Sequence, residues 1–250
     1  ALTTNLGNFH RYEPFSISLW LKTPDVKDRA VVLHRSRAWT DAASRGYELL
    51  IEDGRLKWSL IHFWPGNAIS IRAAQPLLPG EWVHVTVSSD GSSRAAGLAM
   101  FVNGQPAKVD IIRDGLTKDI TGGGGDTIAL GERFRDRGFT GGTVDDLRVF
   151  NRSLSALEMA DVYEAGKLQA LLAKDAAALT EEERESLLDF YLANHSEPVR
   201  AQLAEIQKAR TRQSQLADAA REIMVMKGLS PPKTAYVLKR GEYNQRGAAV

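Results

Sequence analysis

Phe15-Ser16-Ile17-Ser18-Leu19-Trp20-Leu21-Lys22 sets apolar Phe15, Ile17, Leu19 and Leu21 against Ser16, Ser18, Trp20 and Lys22 at every second residue. A period of two belongs to a strand with one face on a core. The same pattern spreads outward from this stretch. Val83, Val85 and Val87 alternate with Trp82, His84 and Thr86. Segments 47–53 and 55–62 flank Asp53-Gly54, and segment 98–102 runs into Asn103-Gly104. Those dipeptides tolerate the left-handed backbone of a tight hairpin turn. Segments 127–130 and 144–150 close the series. Turn signals recurring every ~8–12 residues predict an all-β sandwich over the first ~150 residues.

At Ser155 the period changes. Ser155 with Glu158, and Thr180 with Glu183, have the spacing of helix capping boxes. Ser196 is the expected cap of a third helix carrying Val199, Leu203, Ile206, Leu216 and Ile223. Residues 181–193 and 197–226 then form a helical hairpin turning at Asn194-His195-Ser196. Arg210 and Gln213 interrupt its apolar stripe, so it is expected to pack on its partner helix, on the β domain or on further parts of the polypeptide rather than stand alone. Pro231-Pro232 ends the helical region, and Tyr236-Val237-Leu238 reads as a short strand. Three parts follow: 1–166, 167–228 and 229–250.

Composition narrows the function. Hydrophobic residues are 43% and charged residues 25%, ordinary globular values. No apolar run reaches the ~18–20 residues of a membrane-spanning helix. Lys and Arg number 32 against 31 Asp and Glu, a net charge of +1 that argues against a dedicated nucleic-acid binder. Cysteine is absent, which excludes disulfides, thiolate metal sites, covalent haem attachment and cysteine nucleophiles. The chain begins without Met and is expected to be a segment of a longer polypeptide.

Four strings in order carry a resemblance. They are Phe15–Lys22, Glu81-Trp-Val-His-Val-Thr-Val87, Met100-Phe-Val-Asn-Gly104 and Gly142-Thr-Val-Asp-Asp-Leu-Arg-Val-Phe-Asn-Arg-Ser-Leu-Ser155. Over about residues 9–165 the chain resembles bacterial laminin-G-like modules of the concanavalin A-like lectin/glucanase superfamily. The resemblance implies a mainly β fold, a concanavalin A-like jelly-roll sandwich of two antiparallel sheets, here with a C-terminal helical hairpin extension. Met224-Val-Met-Lys-Gly228 and Thr234-Ala-Tyr-Val-Leu-Lys-Arg-Gly-Glu-Tyr243 resemble the entrance of a planctomycete-type domain of unknown function. That domain occurs in large exported proteins, often beside a cytochrome c-like domain. It implies a periplasmic or cell-surface setting, with other domains of the same polypeptide as partners. No Cys-x-x-Cys-His is present, so no haem is expected in this segment.

Catalysis is not expected, and no catalytic residue is assigned. Glycosidases on this fold carry acids at alternate strand positions, which lets two carboxyls meet in one cleft. Here Glu52-Asp53 is adjacent and sits at a turn, and Asp145-Asp146 point to opposite faces. No Gly-x-Ser-x-Gly, His-Glu-x-x-His or phosphate loop occurs. The expected function is a recognition module for polysaccharide, by analogy with the fold. Its candidate patch is Arg35, Arg37 and Trp39 with Phe63, Trp64 and Asn67: indoles to stack on sugar, Arg and Asn to bond hydroxyls. The alternative is structural, with these aromatics closing the sandwich ends or docking on the helical tail or on neighbouring domains; the weakest alternative is a glycoside-cleaving enzyme with an atypical site. Trp20 and Trp82 are assigned to sheet packing, and Trp58 to the face opposite Leu56 and Leu60. Arg133, Arg135 and Arg137 form either a solvated face or a bidentate grip on a sulfated or carboxylated glycan. Asp145 shares its face with Leu147 and Val149 and should enter the core. Either backbone N–H groups of the Gly141-Gly142 turn satisfy it, or it binds calcium, which the family resemblance suggests, with Asp126 as a further ligand.

Overall fold

The alternation at Phe15–Lys22 is realised as strand β1, in which Phe15, Ile17, Leu19 and Leu21 are fully buried. Val83, Val85 and Val87 of β6 (Trp82–Ser89) lie beside them in antiparallel register. The computed structural model describes residues 6–39, 44–125, 127–221, 234–241 and 245–249. The chain divides into two compact units, Ala1–Ala219 and Ala220–Val250.

Eleven strands build the first unit's β layer. They are β1, β2 (Arg29–Arg35), β3 (Gly46–Glu52), β4 (Arg55–Phe63), β5 (Asn67–Pro76), β6, β7 (Leu98–Val102), β8 (Gln105–Pro106), β9 (Val109–Asp114), β10 (Ala129–Leu130) and β11 (Thr143–Phe150). The first sheet has the order β11-β1-β6-β7-β8, the second β10-β2-β3-β4-β5-β9. All named pairs within them are antiparallel. Asp53-Gly54 and Asn103-Gly104 make the expected turns, with φ of 51° and 72°, and 49° and 72°. The inner faces meet in one core, where Leu33, Leu49, Ile51, Leu56, Trp58, Leu60, Ile69 and Ile71 of the second sheet oppose the first. Each such side chain contributes roughly 1.5–3 kcal/mol relative to exposure. Trp58 is fully buried with Leu56 and Leu60, which corrects its sequence assignment: residues two apart on a strand share a face.

Ser16, Ser18, Thr86 and Ser88 point away from the core yet are also buried. The segment entering α1 (Ala156–Tyr163) lies across them. Ser16 Oγ donates to the Arg152 carbonyl and accepts from Leu154 N–H, and Phe101, Leu154 and Met159 form a second apolar cluster. Further helices are α2 (Lys167–Leu172), α3 (Glu181–Asn194) and α4 (Glu197–Ala219). Both expected capping boxes are formed, at Ser155/Glu158 and Thr180/Glu183. The end of α4 is tied to the sandwich: Arg11 Nε donates to Ser214 Oγ at 3.2 Å, Asp119 N–H to Asp218 at 3.0 Å, and Lys118 to the Ala217 carbonyl. Ile223 and the Met224–Gly228 string lie outside the described residues. In the second unit, β12 (Tyr236–Leu238) pairs antiparallel with β13 (Arg246–Ala249).

Candidate functional site

Outward-facing residues of the second sheet fall into cross-strand rows. His34, Glu48, Ser59, Ser70 and Arg113 are consecutive partners across five strands. Leu50, Lys57 and Arg72 form a parallel row, and Arg29, Glu52 and Arg55 another. This face is polar by sequence, but Glu48, Lys57, Ser59 and Ser70 are buried. Segment 131–138 crosses it, bridging to β2 at Val31 and to Ala38.

The buried charges are paired in a continuous chain. Arg133, from the crossing segment, donates to Glu48 Oε2 at 2.6 Å and to Asp136 Oδ2 at 2.6 Å. Arg29 grips the same Asp136 with two bonds of 2.7 and 3.0 Å. Arg29 lies 3.5 Å from Glu52, which Lys57 reaches at 2.9 Å. Burial pushes the Asp136 carboxyl up. Hydrogen bonds from Arg29, Arg133 and the Arg137 N–H outweigh it and hold the group below the usual carboxylate range. His34 bonds Ser36 and the Glu132 carbonyl, and burial lowers its pKa to about 4, so it is neutral at physiological pH.

Two indoles lie on this network. Trp39 follows the end of β2, and its backbone N–H donates to the Phe134 carbonyl. The Arg29 guanidinium sits 4.1 Å, and that of Arg133 5.2 Å, from the centre of its ring. Trp64, in the β4–β5 turn, has Lys57 Nζ at 4.4 Å and the Arg113 guanidinium at 5.6 Å. The two ring centroids are 6.2 Å apart. Sequence placed both in one patch, and the structure brings them together. Both are half-buried, so each retains exposed surface.

The other expected patch residues divide. Arg37 is exposed, whereas Arg35 is buried. Asn67 braces the following loop: its Nδ2 donates to Thr117 Oγ1, and its Oδ1 accepts from the N–H groups of Thr117 and Lys118. Phe63 is exposed at 44%. Of the alternating arginines, Arg133 is neither solvated nor free, while Arg135 and Arg137 are exposed. Glu48, Lys57, Arg29 and Asp136 were not singled out from sequence; for the first three the signal available was their phase, opposite to the core residues of their strands, and Asp136, off any strand, had none.

Asp145 requires correction. The register of β1 with β11 shifts between Trp20↔Asp145 and Ser18↔Arg148, and Asp146 has φ 45°. This bulge reverses the phase of the strand, so Val144 and Leu147 pack on the core while Asp145 is exposed. Asp145 accepts from the Asp146 N–H, not from the glycine turn, and Asp146 forms two bonds to Arg148. Asp126 lies outside the described residues. Among the described residues, no group of three or more His, Asp or Glu side chains is arranged to hold a metal ion.

On the first sheet's outer face, Trp20 contacts His84 and Tyr163 with centroids 5.1 and 5.7 Å apart. His84 Nε2 bonds Ser18 Oγ, as expected of a histidine facing away from Val83 and Val85. Trp82 is 43% exposed.

A family model described as the Concanavalin A-like lectin/glucanases superfamily (Laminin_G_3) matches residues 1–160. Among solved structures, the Ruminococcus gnavus IT-sialidase CBM40 bound to alpha2,3 sialyllactose is 18% identical with a TM-score of 0.48, over 60% of this chain and 83% of that one. The botulinum neurotoxin serotype G binding domain is 18% identical with a TM-score of 0.47, over 64% of this chain and 38% of that one. The serotype C1 binding domain is 17% identical with a TM-score of 0.45, over 62% and 37%. This chain thus spans well under half the length of those toxin domains. No curated protein matches it.

Proposed function

We propose, from the premise that the chain belongs to the Concanavalin A-like lectin/glucanases superfamily through residues 1–160, that it is a non-catalytic module binding polysaccharide on the outer face of its second sheet. The observation that carries this is the Trp39–Trp64 pair, 6.2 Å apart and fixed from below by cations of the sheet itself. Indoles held in place offer apolar surface to the C–H face of a sugar at little cost in lost side-chain freedom. Arg37 and Arg113, both exposed, are the groups suited to bond its hydroxyls.

Two observations support a binding role, one against catalysis and one against a purely structural part for the indoles. A glycosidase needs a carboxyl that carries a proton near neutral pH. Here Asp136, Glu48 and Glu52 are each engaged by arginine or lysine, and Asp136 is held below the usual range. Among the described residues, the ring contacts of Trp39 and Trp64 are with the sandwich and with each other, which disfavours the reading in which they dock on the helical tail. Asn67 is better suited to shaping the loop than to holding ligand, and calcium has no part in this reading. The setting we infer, from the strings at 224–228 and 234–243, is an exported multidomain protein, periplasmic or at the cell surface.

Affinity electrophoresis against a panel of polysaccharides tests the proposal. Trp64→Ala should weaken retardation on the order of tenfold or more, with Trp82→Ala as the unaffected control. No retardation of the wild-type chain by any polysaccharide would contradict it.

A further inference from the structure

We propose that the end of the second sheet where β2 finishes and β3 begins holds an oxyanion, a carboxylate or a sulfate, among the guanidiniums of Arg35, Arg37 and Arg45. The case shares Arg37 with the glycan reading but does not rest on the indoles; it starts from an unpaired buried charge. Three arginines are less than a tenth exposed: Arg11, Arg35 and Arg133. Arg11 bonds Ser93 and Ser214, and Arg133 bonds Glu48, Asp136 and Ser36. Arg35, 5% exposed, has no hydrogen-bond or ion-pair partner among the described residues, and its Nε is sealed from solvent. Arginine cannot relieve burial by losing its proton. A buried cation without a partner is among the most costly arrangements in a folded chain, and a bound anion removes that cost.

Among the described residues, the neighbourhood gathers further cations. Arg35 is the cross-strand partner of Tyr47, so both side chains leave the sheet on one side. Arg45 Nε donates to the His62 carbonyl at 3.4 Å, and its Nη2 lies 3.3 Å from His62 Nε2; neither contact is with a carboxylate. Arg37 is exposed and has no ion-pair partner among the described residues. The run 123–125 packs these residues together. A Cβ on Gly123 would lie 2.8 Å from Arg45 Cβ, one on Gly124 3.7 Å from Arg37 Cδ, and one on Gly125 2.3 Å from the Ser36 carbonyl carbon. Glycine at 123 and 125 is therefore required for this approach, which brings the loop onto the strand end that carries the arginines. Guanidinium groups pair bidentately with carboxylate and sulfate, which fits them to an acidic sugar or its sulfate ester.

Thermal melts at constant ionic strength, with chloride exchanged for sodium sulfate or sodium glucuronate, test this. The wild-type melting temperature should rise saturably in the millimolar range with at least one of the two anions. Saturation at lower glucuronate assigns a carboxylate, and at lower sulfate a sulfate ester. Arg35→Met should abolish the saturable rise and, in chloride alone, melt no lower than the wild type, because the unpaired charge is gone. Arg45→Gln should weaken the apparent affinity several-fold, and it provides the reading should Arg35→Met fail to fold. An equal response in wild type and variants, the mark of general sulfate exclusion from protein surfaces, overturns the proposal. So does the absence of saturation by either anion. Trp64→Ala should leave the anion response unchanged, which separates this site from the indole patch.

Discussion

Arg133 joins two buried carboxylates, Glu48 and Asp136, whose side chains are each 1% exposed. Replacing it with Met leaves Glu48 without its cation and Asp136 with Arg29 alone. Arg133→Met should therefore lower unfolding free energy by about 3–5 kcal/mol, measured by urea denaturation; a loss under about 1 kcal/mol would contradict the pairing described. Sequence grouped Arg133 with Arg135 and Arg137 because all three alternate within one short stretch. What separates them is Glu48, 85 residues away, and no local pattern reports a partner at that distance. Trp39 and Trp64 were easier to find, since an indole in a loop between strands has no core face to serve. Asp145 was misread for a different reason. A single bulged residue reverses every face assignment after it, and alternation counted straight through Asp145-Asp146 cannot register the extra residue.

At the scale of elements, most of the architecture was legible. Hairpins at Asp53-Gly54 and Asn103-Gly104 needed only the left-handed tolerance of those dipeptides, and both helix starts followed from their capping boxes. The box at Ser155 carries particular weight, because α1 closes the outer face of the first sheet through Met159 and its neighbours. Ser155 Oγ accepts the Glu158 N–H, and Glu158 Oε2 accepts the Ser155 N–H at 2.8 Å. Ser155→Ala should cost about 1 kcal/mol in urea denaturation, and an unchanged midpoint would contradict a stabilising cap. Burial of the outer faces was not legible. Ser16, Ser18, Ser59 and Ser70 are polar and face away from the core, yet all are buried. Polarity on a strand gives the face away from the core, not what later packs upon it.

For the molecule as a whole, stability should depend on pH through its buried histidines. His34 has a folded pKa of about 4, below its ordinary value near 6.5, and burial lowers His84 as well. The folded state thus binds fewer protons than the unfolded chain in this window, so stability is full above about pH 6.5 and falls toward pH 4. His34 alone accounts for up to about 3 kcal/mol. Asp136, Asp119 and Glu158, all held low, add further losses only as pH falls below about 4. A melting temperature flat from pH 6.5 to 4 would contradict this. The glycan reading itself is tested most directly by the five indole N–H resonances in a proton–nitrogen NMR titration with fragments of a retarding polysaccharide. Trp39 and Trp64 should shift together and saturate, while Trp20, Trp58 and Trp82 stay in place. Saturable shifts confined to Trp20 or Trp82, with Trp39 and Trp64 unmoved, would put the binding surface on the other sheet and contradict the account.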